Sequence, residues 1–177
     1  PERGLILPGK FLPLIESTTL SEVLSDWVLR KACGQVKAWR DRYQRDLQVS
    51  VNLTARAFEN PDLSSKIDAV LLETGLPAAA LEIEITETMA WLHAGGRVST
   101  PADLRRRGAR VAVDDFGIGY SSLSYLRELP IDTVKLDSSF IRELGRRRED
   151  SKIVGAVIQL AHALGMEVVA EGVEEEE

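Results

Sequence analysis

Two hydrophobic periods take turns along the chain. Leu20, Val23, Leu24, Trp27, Val28, Ala32, Val36 and Trp39 recur three and four residues apart, the spacing of an amphipathic helix, and Ser17, Thr18 and Ser21 are available as caps. A helix over about 18–42 is predicted. From Leu47 to Leu53 apolar and polar residues alternate strictly, which is the period of a strand. Residues 62–74 return to helical spacing and stop at Gly75 and Pro77, and 81–86 alternate again. Beyond them the pattern predicts a helix at 101–107, a strand at 109–114, a short helix after Tyr120, a strand at 131–136, a helix at 151–164 and a strand at 167–171. Strands separated by helices imply parallel βαβ units with right-handed crossovers.

Alternation also sorts side chains between faces. Leu47, Val49, Val51 and Leu53 oppose Gln48, Ser50 and Asn52; Leu81, Ile83 and Ile85 oppose Glu82, Glu84 and Thr86. Val111 and Val113 oppose Ala112 and Asp114, Val134 and Leu136 oppose Thr133 and Lys135, and Val168 and Ala170 oppose Val169 and Glu171. Each strand therefore ends with a polar group away from the helix-packing face, which is the interior in a parallel barrel. Asn52, Glu84, Asp114, Lys135 and Glu171 are thus expected at the carboxyl ends of the strands, where barrels and open α/β folds place their chemistry. Asp115 is expected to join them from the following loop.

This convergence constrains the chemistry. Two carboxylates ~4 Å apart repel by roughly 4 kcal/mol at an effective dielectric near 20, so several ionised ones need cations or protons. Oxygen donors with one amide, and neither paired His nor paired Cys, suit Mg²⁺ or Mn²⁺ better than zinc. Two such ions ~4 Å apart would clamp the attacking and departing oxygens of a phosphodiester displacement. Lys135 among carboxylates should stay protonated, able to orient a water or neutralise charge building on phosphate.

Composition narrows the class further. The 177 residues carry 28 acidic and 22 basic side chains, a net charge of −6, and 44% are apolar, which fits one globular domain. A chain of this size buries roughly 70% of its unfolded surface without disulfides or structural metals. The acidic balance argues against binding DNA or RNA, which would call for a basic face. Cys33 is the lone cysteine, excluding a disulfide framework and pointing to a reducing compartment. No apolar run approaches the ~18 residues of a membrane span and no secretion signal is legible, so a cytoplasmic location is expected. A start at Pro1 without methionine suggests a piece of a longer protein.

Weaker signals take the plainer reading. Phe116-Gly-Ile-Gly-Tyr120 lacks the third glycine of a dinucleotide fingerprint and reads as a loop beside the acidic pair. Cys33, Trp27 and Trp39 read as helix packing, His93 and His162 as surface or packing residues, and Arg105–Arg107 and Arg146–Arg148 as solvated faces. A receiver-like phosphoacceptor would also pair an acidic doublet with a strand-end lysine, but its doublet should follow the first strand, whereas here it follows the third.

Ser50-Val-Asn-Leu53, Leu81-Glu-Ile-Glu-Ile-Thr-Glu87, Asp114-Asp-Phe-Gly-Ile-Gly-Tyr-Ser-Ser-Leu123, Val134-Lys-Leu-Asp137 with Ser139-Phe140, and Ala170-Glu-Gly-Val-Glu174 resemble, in order and spacing, the signatures of the EAL domain family of bacterial cyclic di-GMP phosphodiesterases. The resemblance covers about Gly4 to Glu177. It implies an α/β, TIM-barrel-like fold that binds two Mg²⁺ or Mn²⁺ ions and hydrolyses cyclic di-GMP to linear pGpG. Asn52, Glu84, Asp114, Asp115 and Glu171 then look like metal ligands, with Lys135, Asp115 and Glu171 forming the catalytic group and Lys135 positioning the water. Glu87 resembles the glutamate that steadies the loop after the acidic doublet, a loop that in the family couples activity to dimerisation. Glu174 takes a supporting role. A homodimer of the intact protein, flanking sensory or diguanylate cyclase domains, and a parent protein that can be membrane-anchored are further implications.

The departures from the family pattern shape the expectation for this chain. The family's Glu-Ala-Leu strand, with one metal ligand and a substrate-contacting arginine, should precede the stretch resembling 4–16, and further strand and helix units should follow Glu174. The single domain over 1–177 is accordingly expected to be partial, with an unclosed barrel, weakened metal affinity and little activity alone. Ile118 replaces a usual threonine and Ala57 a common glutamine. The alternative is a non-catalytic EAL-like receptor for cyclic di-GMP.

Overall fold

The computed structural model describes residues 4–93, 100–117, 126–142 and 148–173, and the chain divides into two units, Pro1–Leu81 and Glu82–Glu177. The first unit holds α1 (Pro8–Ile15), α2 (Thr19–Tyr43), β1 (Val49–Asn52), α3 (Ala55–Phe58), α4 (Leu63–Thr74) and a 3₁₀ turn, Ala78–Ala80. Thr18 starts α2 as its residue type suggests: its extended backbone lets Oγ1 accept the N–H of Leu20 at 3.3 Å. Gly75, in the left-handed region at φ 68°, closes α4 and returns its N–H to the carbonyl of Leu71 at 2.9 Å. Helix α1 escapes the periodic reading because Pro13 lies inside it, although Pro8 suits a first turn.

The face that α2 buries differs from the one expected. Ser21, Ser25, Leu29, Cys33 and Val36 are buried, whereas Leu20, Val23, Trp27 and Trp39 are exposed, Trp27 by 57%. The seam steps by four residues from Ser21 to Cys33 and by three to Val36, and its two serines are small enough to let α2 lie close to the elements it packs on, α4 and β1 among them. Counting apolar residues misses such a seam, because the larger side chains flank it.

The second unit comprises β2 (Leu81–Thr86), α5 (Glu87–His93), α6 (Thr100–Arg106), β3 (Arg110–Phe116), β4 (Thr133–Leu136), α7 (Ser138–Arg142), α8 (Arg148–Ala163) and β5 (Glu167–Ala170). Strands β2 to β5 lie side by side in chain order, all parallel, with Glu84 opposite Ala112, Val113 opposite Val134 and Leu136 opposite Ala170. Ile83, Ile85, Val111, Val113, Val134 and Leu136 are buried, and each such side chain removed from water is worth about 1.5–3 kcal/mol. Helices α5 and α6 pack on β3, and α8 packs on β5. Helix α5 was not expected; it follows β2 without a loop, and Thr86 Oγ1 accepts the N–H of Met89 at 3.4 Å. The predicted helix after Tyr120 lies outside the described residues. Among the described residues no helix is long and apolar enough to cross a membrane.

Candidate active site

Residue parity along β2 to β5 produces two polar layers on one face of the sheet. The deeper layer, at the amino ends of the strands, centres on Arg110. Its guanidinium donates to Glu167 Oε2 at 2.6 Å, Thr133 Oγ1 at 3.0 Å and Glu82 Oε2 at 3.3 Å, while Thr133 donates its own hydroxyl to Glu82 at 2.7 Å. Thr133 is 1% exposed, so its hydroxyl could not remain unpaired without cost. Alternation puts Glu82 and Thr133 on this face, but no spacing in the sequence marks them as partners of Arg110. Arg105, expected on a solvated face, bonds Asp132 at 3.0 Å, and Arg106 pairs with Asp103.

The upper layer gathers the predicted residues around one ammonium. Lys135 Nζ lies 2.5 Å from Glu171 Oε1, 3.0 Å from Glu84 Oε1 and 3.2 Å from Asp114 Oδ1. Glu84 is 4% exposed. Burial pulls the Lys135 pKa down, but hydrogen bonds to Glu171 and Glu84 and the charges of Glu84 and Asp114 outweigh it, and the pKa rises above the ordinary lysine value. A protonated lysine here is a donor and a counter-charge, and it cannot act as a base.

Asp115 belongs to the end of β3 rather than to the loop where it was expected. Between Val113 and Phe116 two residues of β3, Asp114 and Asp115, pass one of β4, Lys135, and at this bulge Asp115 stands in the left-handed region at φ 55°. The Asp115 N–H bonds Asp114 Oδ1 at 3.0 Å. The Asp115 carboxyl is pushed up, by burial first and then by the charges of Asp114, Asp137 and Glu171. Asp137, to which the sequence argument gave no role, accepts the N–H of Ser139 at 2.8 Å. Hydrogen bonds from Ser139 hold its carboxyl below the usual range. The signal for it was its place two residues after Lys135, one side-chain period farther along.

Glu87 is 4% exposed, and its Oε2 accepts the N–H of Gly117 at 2.9 Å. It thus grips the backbone two residues beyond Asp115. Asn52 ends β1 in the first unit and is exposed, and Ala57 is 6% exposed. Glu174 and Ile118 lie outside the described residues.

Hard oxygen donors with a surplus of negative charge fit a divalent cation of the Mg²⁺ or Mn²⁺ type. Among the described residues no three Asp, Glu, His or Cys side chains stand arranged to hold an ion directly; Glu84, Asp114 and Glu171 close on Lys135 Nζ instead.

Parallel strands alternating with helices, carrying an acidic cluster at their carboxyl ends, define the class as α/β and TIM-barrel-like. The model of the EAL domain matches residues 1–177, and the chain belongs to the EAL domain family. It is 40% identical over 176 residues to the bifunctional diguanylate cyclase/cyclic di-GMP phosphodiesterase MucR of Pseudomonas aeruginosa, covering 99% of this chain and 26% of that protein. To the cyclic di-GMP phosphodiesterase NbdA of the same organism it is 38% identical over 174 residues, covering 98% of this chain and 22% of that one. The chain therefore spans about a quarter of the length of these relatives. The solved structure of the PaMucR phosphodiesterase in a c-di-GMP complex superposes with a TM-score of 0.92 at 40% identity, over 99% of this chain and 71% of that one.

Proposed function

We infer that this chain is the cyclic di-GMP phosphodiesterase module of a larger signalling protein, converting cyclic di-GMP to linear pGpG. The observation that carries the reading is the single point at Lys135 Nζ on which Glu84 of β2, Asp114 of β3 and Glu171 at the end of β5 converge. Membership of a family that contains MucR and NbdA supports the substrate.

Glu84, Asp114, Asp115 and Glu171 would hold Mg²⁺ or Mn²⁺; Asn52 is added as a ligand by resemblance alone. When bound, the ions supply a water nucleophile at neutral pH and neutralise charge on the phosphodiester. Lys135, protonated, would orient the attacking water and stabilise the negative charge that builds on phosphate. Glu87 fixes the backbone leaving the acidic doublet through Gly117.

The test is incubation of the chain, extended by the Glu-Ala-Leu strand and the closing strand and helix units of its parent protein, with cyclic di-GMP and Mn²⁺, separation of products by chromatography, and calorimetry for binding; the unextended chain is expected to show little turnover. Formation of pGpG that stops with Lys135→Ala and with EDTA upholds the reading. Binding without turnover in any divalent ion replaces the enzyme by a receptor, and absence of both removes cyclic di-GMP as the ligand.

A further inference from the structure

The short helix α7 begins three residues after Lys135 and is pressed against both neighbouring strand ends at glycines. Gly117, which follows the acidic doublet of β3, sits at φ 102°, and a methyl group there would fall 2.5 Å from Phe140 Cε2 and 2.6 Å from Cζ. Gly172, immediately after Glu171 of the β5 end, sits at φ 71°, and a methyl group there would fall 2.7 Å from Ser138 Cβ. Real side chains essentially never approach so closely, so these two positions exist to let α7 touch backbone on either side. Helix α7 is itself held in place. Asp137 accepts the N–H of Ser139 at 2.8 Å, Arg142 donates to Ser138 Oγ at 2.6 Å, and the N–H of Glu171 reaches the carbonyl of Leu136 at 3.1 Å. On the far side of Gly117, Glu87 holds the N–H.

We propose that α7 is a strut between the two acidic strand ends, with Phe140 bearing on Gly117 and Ser138 on Gly172, so that Asp114 and Glu171 are set at a fixed separation across Lys135. The packing between the ends of parallel strands is otherwise weakly determined, because beyond the last ladder hydrogen bonds each chain leaves in its own direction. Rigid contact at two glycines removes that freedom, and preorganisation of this kind governs how well side chains from separate strands share a charge. Phe140 and Ser138 are positioning residues: they act through the backbone at Gly117 and Gly172. Only the catalytic consequence of the strut rests on the phosphodiesterase reading.

The experiment compares backbone amide spectra of the chain without added metal for the wild type, Phe140→Ala and Phe140→Leu. Phe140→Ala is expected to shift the amides of Glu171 and Gly172 as well as those of Asp115 and Gly117, by at least about a third of the displacement seen at Gly117, and Phe140→Leu to restore most of it. Shifts confined to Gly117 and its immediate neighbours overturn the proposal. The second arm is a steric cycle at the other contact. Gly172→Ala should displace the Asp114 and Gly117 amides, and adding Ser138→Gly, which removes the clashing Cβ, should bring them back at least halfway; failure of that rescue also overturns the strut. Manganese titration followed by electron paramagnetic resonance gives the consequence: Phe140→Ala weakens Mn²⁺ binding about tenfold, while Leu104→Ala, a change at a fully buried side chain of α6, lowers the melting temperature without altering it. Equal weakening by both variants counts against a positioning role. A wild type that neither binds Mn²⁺ nor hydrolyses cyclic di-GMP while the amide coupling persists defeats the functional reading and leaves the strut standing.

Discussion

Cys33 is 0% exposed and its thiol is pushed up to about 11 by burial alone. The folded chain keeps the thiol proton where the unfolded chain, near the ordinary value of 9.0, gives it up. Stability from this group therefore falls as pH climbs from about 9 to 11. Iodoacetamide at pH 8 should leave Cys33 unmodified in the folded chain and label it on denaturation, which mass spectrometry reads directly. Glu22 runs the other way. Hydrogen bonds from Arg56 at 2.6 Å and Asn60 at 3.0 Å lower its pKa. Its contribution is present above the ordinary carboxylate value and is lost as pH falls through the lowered one. Glu22→Gln should leave the melting temperature less sensitive to acid between neutral pH and pH 3 than the wild type. Neither environment was legible in the sequence, because Glu22 meets its partners across gaps of 34 and 38 residues. Local spacing carried only the packing role of Cys33.

Among elements, strands announced themselves better than helices. Apolar and polar residues alternate along β2 and β4, and counting by twos along all four strands of the second unit was enough to assign Glu84, Asp114, Lys135 and Glu171 to one face. The bulge that moves Asp115 into β3 has no such signature, and Pro13 and the loop-free junction at Thr86 concealed α1 and α5. Helix α2 shows how a seam of small residues defeats an apolar count. Its cap is conventional: Thr18→Ala should cost about 1 kcal/mol in urea denaturation, with Thr18→Asp retaining most of the stability. The Arg110 layer makes a stronger demand on the sheet. Arg110→Met leaves Glu82 largely buried against Thr133 and should cost about 2–3 kcal/mol, since removing one partner of a desolvated pair is worse than removing both. Adding Glu82→Leu should recover at least half of that loss, measured by the same denaturation.

At the scale of the molecule, the sheet of the second unit is oily on the side that carries its helices and ionic on the other. The ionic side is organised as a tethering layer near Arg110 below a working layer near Lys135. Parity placed both on one face, and only the pairing distances distinguish them, which is why the working layer was legible in the sequence and the tethering layer was not. Lys135 has a further role in this arrangement. Three carboxylates close on an ammonium belonging to the chain itself, so their mutual repulsion is already relieved in part before any ion arrives. EDTA should accordingly shift the melting temperature of the wild type by less than about 3 °C, an effect worth under ~1 kcal/mol, and lower that of Lys135→Met by considerably more. A newly synthesised chain thus leaves the ribosome with a resident counterion in its most crowded corner. On the proposed reading, maturation and switching on become separate events, and scarcity of divalent ions would idle the protein without unravelling it.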